Sequence, residues 1–108
     1  MYSYNVVVLI GSTKFKDKFI EIEEELALKG YLVFTPSVYN QSGDKPGCGE
    51  STKKILDSAC KLKISKSDIV FVVDVDGYTG SSTTDQIKWA KLLKKPVLYL
   101  SKGDIKKL

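Results

Sequence analysis

With 108 residues, 43% of them hydrophobic and 28% charged, the chain has the make-up of one modest globular domain spanning 1–108, with no room for an inserted second one. Its net charge of +4 rests on 17 basic residues, all lysines spread over helix faces; without arginine's bidentate fork, sequence-specific nucleic-acid binding is not expected. There is no histidine, and Cys48 and Cys60 lack metal-ligand spacing, so neither a metal site, nor another cofactor, nor a histidine-based triad is expected.

No apolar run approaches the ~20 residues that cross a bilayer, so no membrane partner is expected. The first residues show no basic region leading into an apolar signal core, which makes a cytoplasmic location the expectation.

In chain order, residues 4–10 read as a buried first strand, ended by Gly11-Ser12-Thr13. A helix is predicted over 14–29, where Phe15, Phe19, Ile22 and Leu26 form one apolar stripe, and Gly30 falls just past its end. A second strand covers 31–35 and stops at Pro36. The connection over 37–49 carries Gly43, Pro46, Gly47 and Gly49; loops of that length in a compact domain often carry function. A second helix is predicted over 50–65, with Ile55, Leu56, Ala59, Leu62 and Ile64 on its buried side. The apolar run from Ile69 to Val73 reads as a third strand buried on both faces. A third helix covers about 83–94, a fourth strand 96–100 and a short basic tail 101–108.

This β-α-β alternation predicts a single-domain, Rossmann-like (flavodoxin-like) α/β fold: four parallel strands in order 2-1-3-4 with helices on both faces. The switch point then lies between strands one and three, where open α/β sheets bind ligands at the carboxyl ends of their strands. That order sets Gly11-Ser12-Thr13 beside the loop after Val73, with the 37–49 connection above the same edge.

Several residues there carry chemistry. Gly11, Ser12 and Thr13 offer amides and hydroxyls to a phosphate or sugar, although helix capping explains Ser12 or Thr13 equally well. The lone glycine matches neither dinucleotide nor P-loop fingerprints. Ser81, Ser82 and Thr83 form a denser hydroxyl cluster than capping needs, while Ser82-Thr83-Thr84-Asp85 fits a capping box. Asp76 before Gly77 is half explained by turn chemistry. Asp74 closes an apolar run with no local excuse, which makes it the stronger functional candidate. Asp68, at the opposite edge, reads as a surface turn residue.

Five short segments, in order, resemble the nucleoside 2-deoxyribosyltransferase superfamily and its nucleotide N-glycosidase relatives over nearly the whole chain. They are Gly11-Ser12-Thr13-Lys14-Phe15-Lys16-Asp17, Lys29-Gly30-Tyr31-Leu32-Val33 before Pro36, Asp68-Ile69-Val70-Phe71-Val72-Val73, Asp76-Gly77-Tyr78-Thr79-Gly80-Ser81-Ser82-Thr83, and Lys95-Pro96-Val97. The resemblance implies a crevice for a nucleoside or nucleotide, contacted by Phe15, Gly77, Tyr78 and Gly80 beside the residues above. It also implies a homodimer or larger even assembly, an expectation shared by the large aromatics Tyr78, Trp89 and Tyr99 around the third helix.

In active members of that superfamily, a third-helix glutamate four residues before a small residue attacks or stabilises the anomeric carbon. Here the small residue aligns with Ala90, and the nucleophile position falls on Gln86. A neutral amide supplies no charge to an oxocarbenium-like centre. Asp85 is adjacent, but one residue turns a helix by ~100°. Three accounts stand open at this point: a binding or sequestering protein without catalysis, an enzyme using another carboxylate such as Asp74 or Asp85, or a glutamate replaced to trap a complex.

Overall fold

The computed structural model describes residues 5–37 and 50–108, so the predicted 37–49 connection lies almost wholly outside the described residues. Strand β1 (Val6–Gly11) leads through a 3-10 turn (Thr13–Phe15) into helix α1 (Lys16–Leu28), then β2 (Leu32–Phe34). Helix α2 (Glu50–Ser65), β3 (Ile69–Val73), a 3-10 turn (Val75–Gly77), helix α3 (Ser81–Leu92) and β4 (Val97–Tyr99) follow, closed by turns at Leu100–Lys102 and Asp104–Lys107. All strand pairs are parallel, in the order β2-β1-β3-β4. This is the predicted sheet.

Strand alternation divides the core in two. Val7, Leu9, Phe71 and Val73 face Phe19, Ile22 and Leu26 of α1. Val8, Ile10, Val70 and Val72 face the other way, onto Ile64 of α2 and Ala90 of α3. Each fully buried side chain of this size stabilises the fold by ~1.5–3 kcal/mol, so the uninterrupted apolar runs of β1 and β3 account for why these two strands are central.

Two expectations are corrected, and the basic tail proves to be tied into the fold. Ile55 and Leu62 of α2 are 68% and 57% exposed, not buried. They lie seven residues apart on one stripe; the helix instead turns Leu56, Ala59, Cys60 and Ile64 inward, a stripe set ~100° away by a one-residue step. The aromatic surface around α3 is largely absorbed within the chain, since Trp89 and Tyr99 pack on the α2/α3 core and only Tyr78 is exposed. The basic tail is anchored by its own contacts. The Asp104 carboxylate accepts a bond from the Tyr99 amide at 3.0 Å, the Tyr31 hydroxyl donates to the Leu108 carbonyl at 3.4 Å, and Leu100, Ile105 and Leu108 pack on the α1 side.

Candidate functional site

The carboxyl edge of the sheet is built where β1 and β3 end together. Gly11 pairs with Val73, at a φ of +150°. A Cβ there would lie 2.6 Å from the Val73 carbonyl oxygen and 3.2 Å from the Phe19 ring, so only glycine lets the two strand ends approach this closely. The chain then leaves β1 through Ser12, whose hydroxyl makes no capping bond to the following turn. Capping therefore does not account for Ser12.

The loops after β1 and β3 meet through aromatic rings. Phe15 and Tyr78 stand edge to face, 6.0 Å between centroids. The Lys14 ammonium sits 3.7 Å from the Tyr78 centroid and 5.2 Å from that of Phe15. Such a stack holds a positive charge at the mouth of the crevice by attraction to the ring faces. A shallow hollow of about 370 Å3 opens beside it, lined by Lys14, Phe15, Lys16, Asp17, Lys18, Glu21 and Val75. It lies on the α1 side, and no residue of α3 lines it.

Asp74 is 4% exposed, and its neighbour is now plain. One carboxylate oxygen accepts the Ser101 amide at 2.8 Å and the other the Ser101 hydroxyl at 2.6 Å. Asp74, which has no local partner, thus has a distant one: it fastens the turn after β4 to the end of β3. Asp76 takes a left-handed conformation (φ 54°, ψ 26°) in the turn closed by Gly77 donating to the Asp74 carbonyl at 2.9 Å, and is exposed. That backbone conformation fits turn chemistry.

Helix α3 begins earlier than predicted. Gly80 is its N-cap, with no side-chain capping bond, and the proposed Ser82–Asp85 capping box does not form. The Thr84 hydroxyl instead bonds back to the Gly80 carbonyl at 3.0 Å. The amides of the first turn, around Ser81 to Thr83, are thus left to an outside acceptor. Ser81 and Asp85 are exposed and Ser82 is half-buried, so the hydroxyl cluster is split between solvent and interior.

The inner face of α3 carries Thr83, Gln86 and Ala90, at i, i+3 and i+7. Ala90 is fully buried in the aliphatic core against Val8, Ile10, Val70 and Val72. Four residues of rise set Gln86 ~6 Å nearer the helix start, toward the carboxyl edge of the sheet. Gln86 is 9% exposed and Thr83 3% exposed, and neither side chain has a hydrogen-bond partner among the described residues. A buried polar group left unbonded costs ~1–3 kcal/mol. Two of them, one helical turn apart, form an unmet demand for hydrogen bonds.

Other groups are silent. Burial pushes the Cys60 thiol up to about 11, which leaves it protonated and unreactive at neutral pH. No cluster of metal-ligating side chains occurs among the described residues, and none of their helices is long and apolar enough to cross a membrane. Sequence reasoning missed Ser101, 27 residues from its partner Asp74 with no periodic signal to link them. It also missed Lys63, whose ammonium donates to the Thr35 carbonyl at 2.8 Å and the Ser37 hydroxyl at 2.7 Å, fixing the chain just after β2. Lys14 was legible only as part of a motif, not as a charge held between rings.

No family model and no curated protein matches the sequence. Among solved structures, the chain is similar to the Clostridium botulinum CMP N-glycosidase BcmB, with a TM-score of 0.56 and 19% sequence identity over 88% of this chain and 67% of that one. At that identity the likeness is one of fold. The chain therefore shares with that enzyme a parallel α/β architecture, here four strands in the order β2-β1-β3-β4.

Proposed function

We propose that this chain binds a nucleoside or nucleotide at the carboxyl edge of β1 and β3, on an architecture suited to hydrolysis or transfer of an N-glycosidic bond. The observation that carries the reading is the buried, unpartnered pair Thr83 and Gln86, which a sugar's hydroxyls would satisfy. Gly11, Ser12 and Thr13, with the uncapped first turn of α3 at Ser81, Ser82 and Thr83, supply amides for a phosphate. Phe15 and Tyr78 offer ring faces for a base, with Gly77 and Gly80 shaping the loop, and Lys14 adds a cation that favours an anionic ligand. Asp76, exposed at the turn, reaches only the outer part of such a ligand.

Between catalysis and binding alone, three observations favour binding. Gln86 carries no charge, Asp74 has both oxygens engaged by Ser101, and Asp85 is exposed on the outer side of α3. The alternative, an N-glycosidase or transferase, rests on the fold and on a carboxylate still to be identified.

The test is calorimetry with a panel of nucleosides and their 5′-monophosphates, followed by chromatography for released base. A monophosphate binds more tightly than its nucleoside, and the native chain releases no base. Gln86→Glu, which changes charge with little change in packing, raises base release by about 10²–10³-fold, the scale of one preorganised group at a developing charge. Its effect on affinity is far smaller, because the ground-state sugar is neutral. Absence of binding by every member of the panel would remove the reading. Turnover by the native chain would move it to the enzyme alternative, with Asp74→Asn and Asp85→Asn as the next variants.

A further inference from the structure

Helices α1 and α2 lie on opposite faces of the sheet, and their outward surfaces carry opposite charge. Residues 16–28 hold five acids against two lysines, and residues 50–65 hold four lysines against two acids. Local ion pairs absorb part of the first set, since Glu21 bonds Lys18 and Glu25 bonds Lys29. Asp17 and Glu24 are exposed, without a partner among the described residues, and seven residues apart. On α2, Lys54 and Lys61 are also exposed and seven apart, Lys61 leaning over the Trp89 ring at 5.7 Å.

Apolar residues run beside both rows. Ile20 (45% exposed) and Leu28 (82%) flank the acids, and Ile55 (68%) and Leu62 (57%) flank the lysines. Seven residues of helix span ~10.5 Å, so both stripes repeat charge and aliphatic at one spacing, as two helices packed side by side require.

From this we infer that the acidic face of α1 docks onto the basic face of α2 of a second copy of the chain. Because the two faces are on opposite sides of one molecule, the contact is heterologous: each added copy leaves one free face at either end, and growth does not stop at a dimer. This differs from the closed, even assembly expected above and is independent of the ligand reading. Exposed ion pairs are individually weak and screened, so the association is modest and sensitive to salt.

Sedimentation velocity on the full chain tests it. At low salt the average mass rises with concentration past twice 12.0 kDa, and at about 0.5 M salt, where the Debye length is only a few Å, it falls back to the monomer. Asp17→Lys with Glu24→Lys abolishes assembly, as does Lys54→Glu with Lys61→Glu. Mixed in equal amounts, these two variants recover assembly as alternating copies, because the native faces of the two pair with each other and so do the two reversed faces. Circular dichroism and melting confirm that both variants are folded. Carbodiimide treatment of the native chain then joins Asp17 or Glu24 of one copy to Lys54 or Lys61 of another. A native chain that stays monomeric at low salt overturns the inference. So does a dimer that persists in both charge-reversed variants, or the absence of those cross-links.

Discussion

The two ends of β3 are built alike and used differently. At its amino end Asp68 accepts the Val6 amide at 2.8 Å and donates its own amide to the Val6 carbonyl, tying β3 to β1 at an exposed edge. At its carboxyl end Asp74 ties β3 to the turn after β4, but in a buried setting. Beyond each carboxylate the edges diverge. Around Asp68 the buried neighbour Ser67 donates its hydroxyl to the Ile64 carbonyl, so among the described residues no buried polar side chain is left over there. Near Asp74, Thr83 and Gln86 are left over. Carboxylates in both places hold the chain together, and it is the uncharged, unbonded groups that set the carboxyl edge apart, where we place the proposed ligand.

The largest effect sharpens this contrast by removing each carboxylate in turn. Asp74→Ala strips two charge-assisted bonds and leaves the Ser101 amide and hydroxyl unsatisfied, a loss of ~3–4 kcal/mol in denaturant unfolding. Asp68→Ala loses one bond in reach of water and costs about 1 kcal/mol or less. Equal losses would break the comparison.

A smaller effect reads the same carboxyl-edge fastening through pH. The Tyr99 amide holds the Asp104 carboxyl below its usual 3.8, against some opposing burial and with help from Lys107. Because the folded value is the lower one, the stability this gives is complete above 3.8 and is lost as pH falls through the folded value. The melting-temperature gap between the native chain and Asp104→Asn is therefore constant at neutral pH and closes in the acid range. A gap that widened on acidification would refute the sign.

The smallest effect is the most diagnostic. If Gln86 serves a ligand rather than the fold, Gln86→Leu leaves stability unchanged or raises it by up to ~1 kcal/mol, because a bonded partner is not being removed. Ligand binding should disappear with it. A loss of 2 kcal/mol or more in the unliganded protein would show a structural role for the amide and end the distinction between the two edges.

How much of this was legible beforehand follows from the range of each signal. The strands, their order and the switch point come from local runs such as Ile69 to Val73 and from handedness rules, and the sheet matches them. The close approach at Gly11 falls in a short segment singled out beforehand, and the burial of Gln86 on one face with Ala90 follows from helical spacing. Ile55 and Leu62 were misassigned because an apolar residue on a helix declares a preference for burial and not the azimuth at which the sheet meets it. The structural tie of Asp74 was not legible because its partner lies 27 residues onward, in the short basic tail. The anchoring role of Asp104 was hidden for the same reason.

The bond from Ser101 to Asp74 has a spectroscopic consequence. The Ser101 amide belongs to no strand, yet it points at a buried carboxylate 2.8 Å away. A proton held so close to a negative charge is expected to resonate downfield, and its exchange with solvent to follow opening of the turn after β4. In a nitrogen-edited spectrum it would be a reporter at the carboxyl end of β3, beside the proposed ligand site. Its shift would register a ligand's arrival without any label, and its exchange rate would measure how tightly that ligand closes the site.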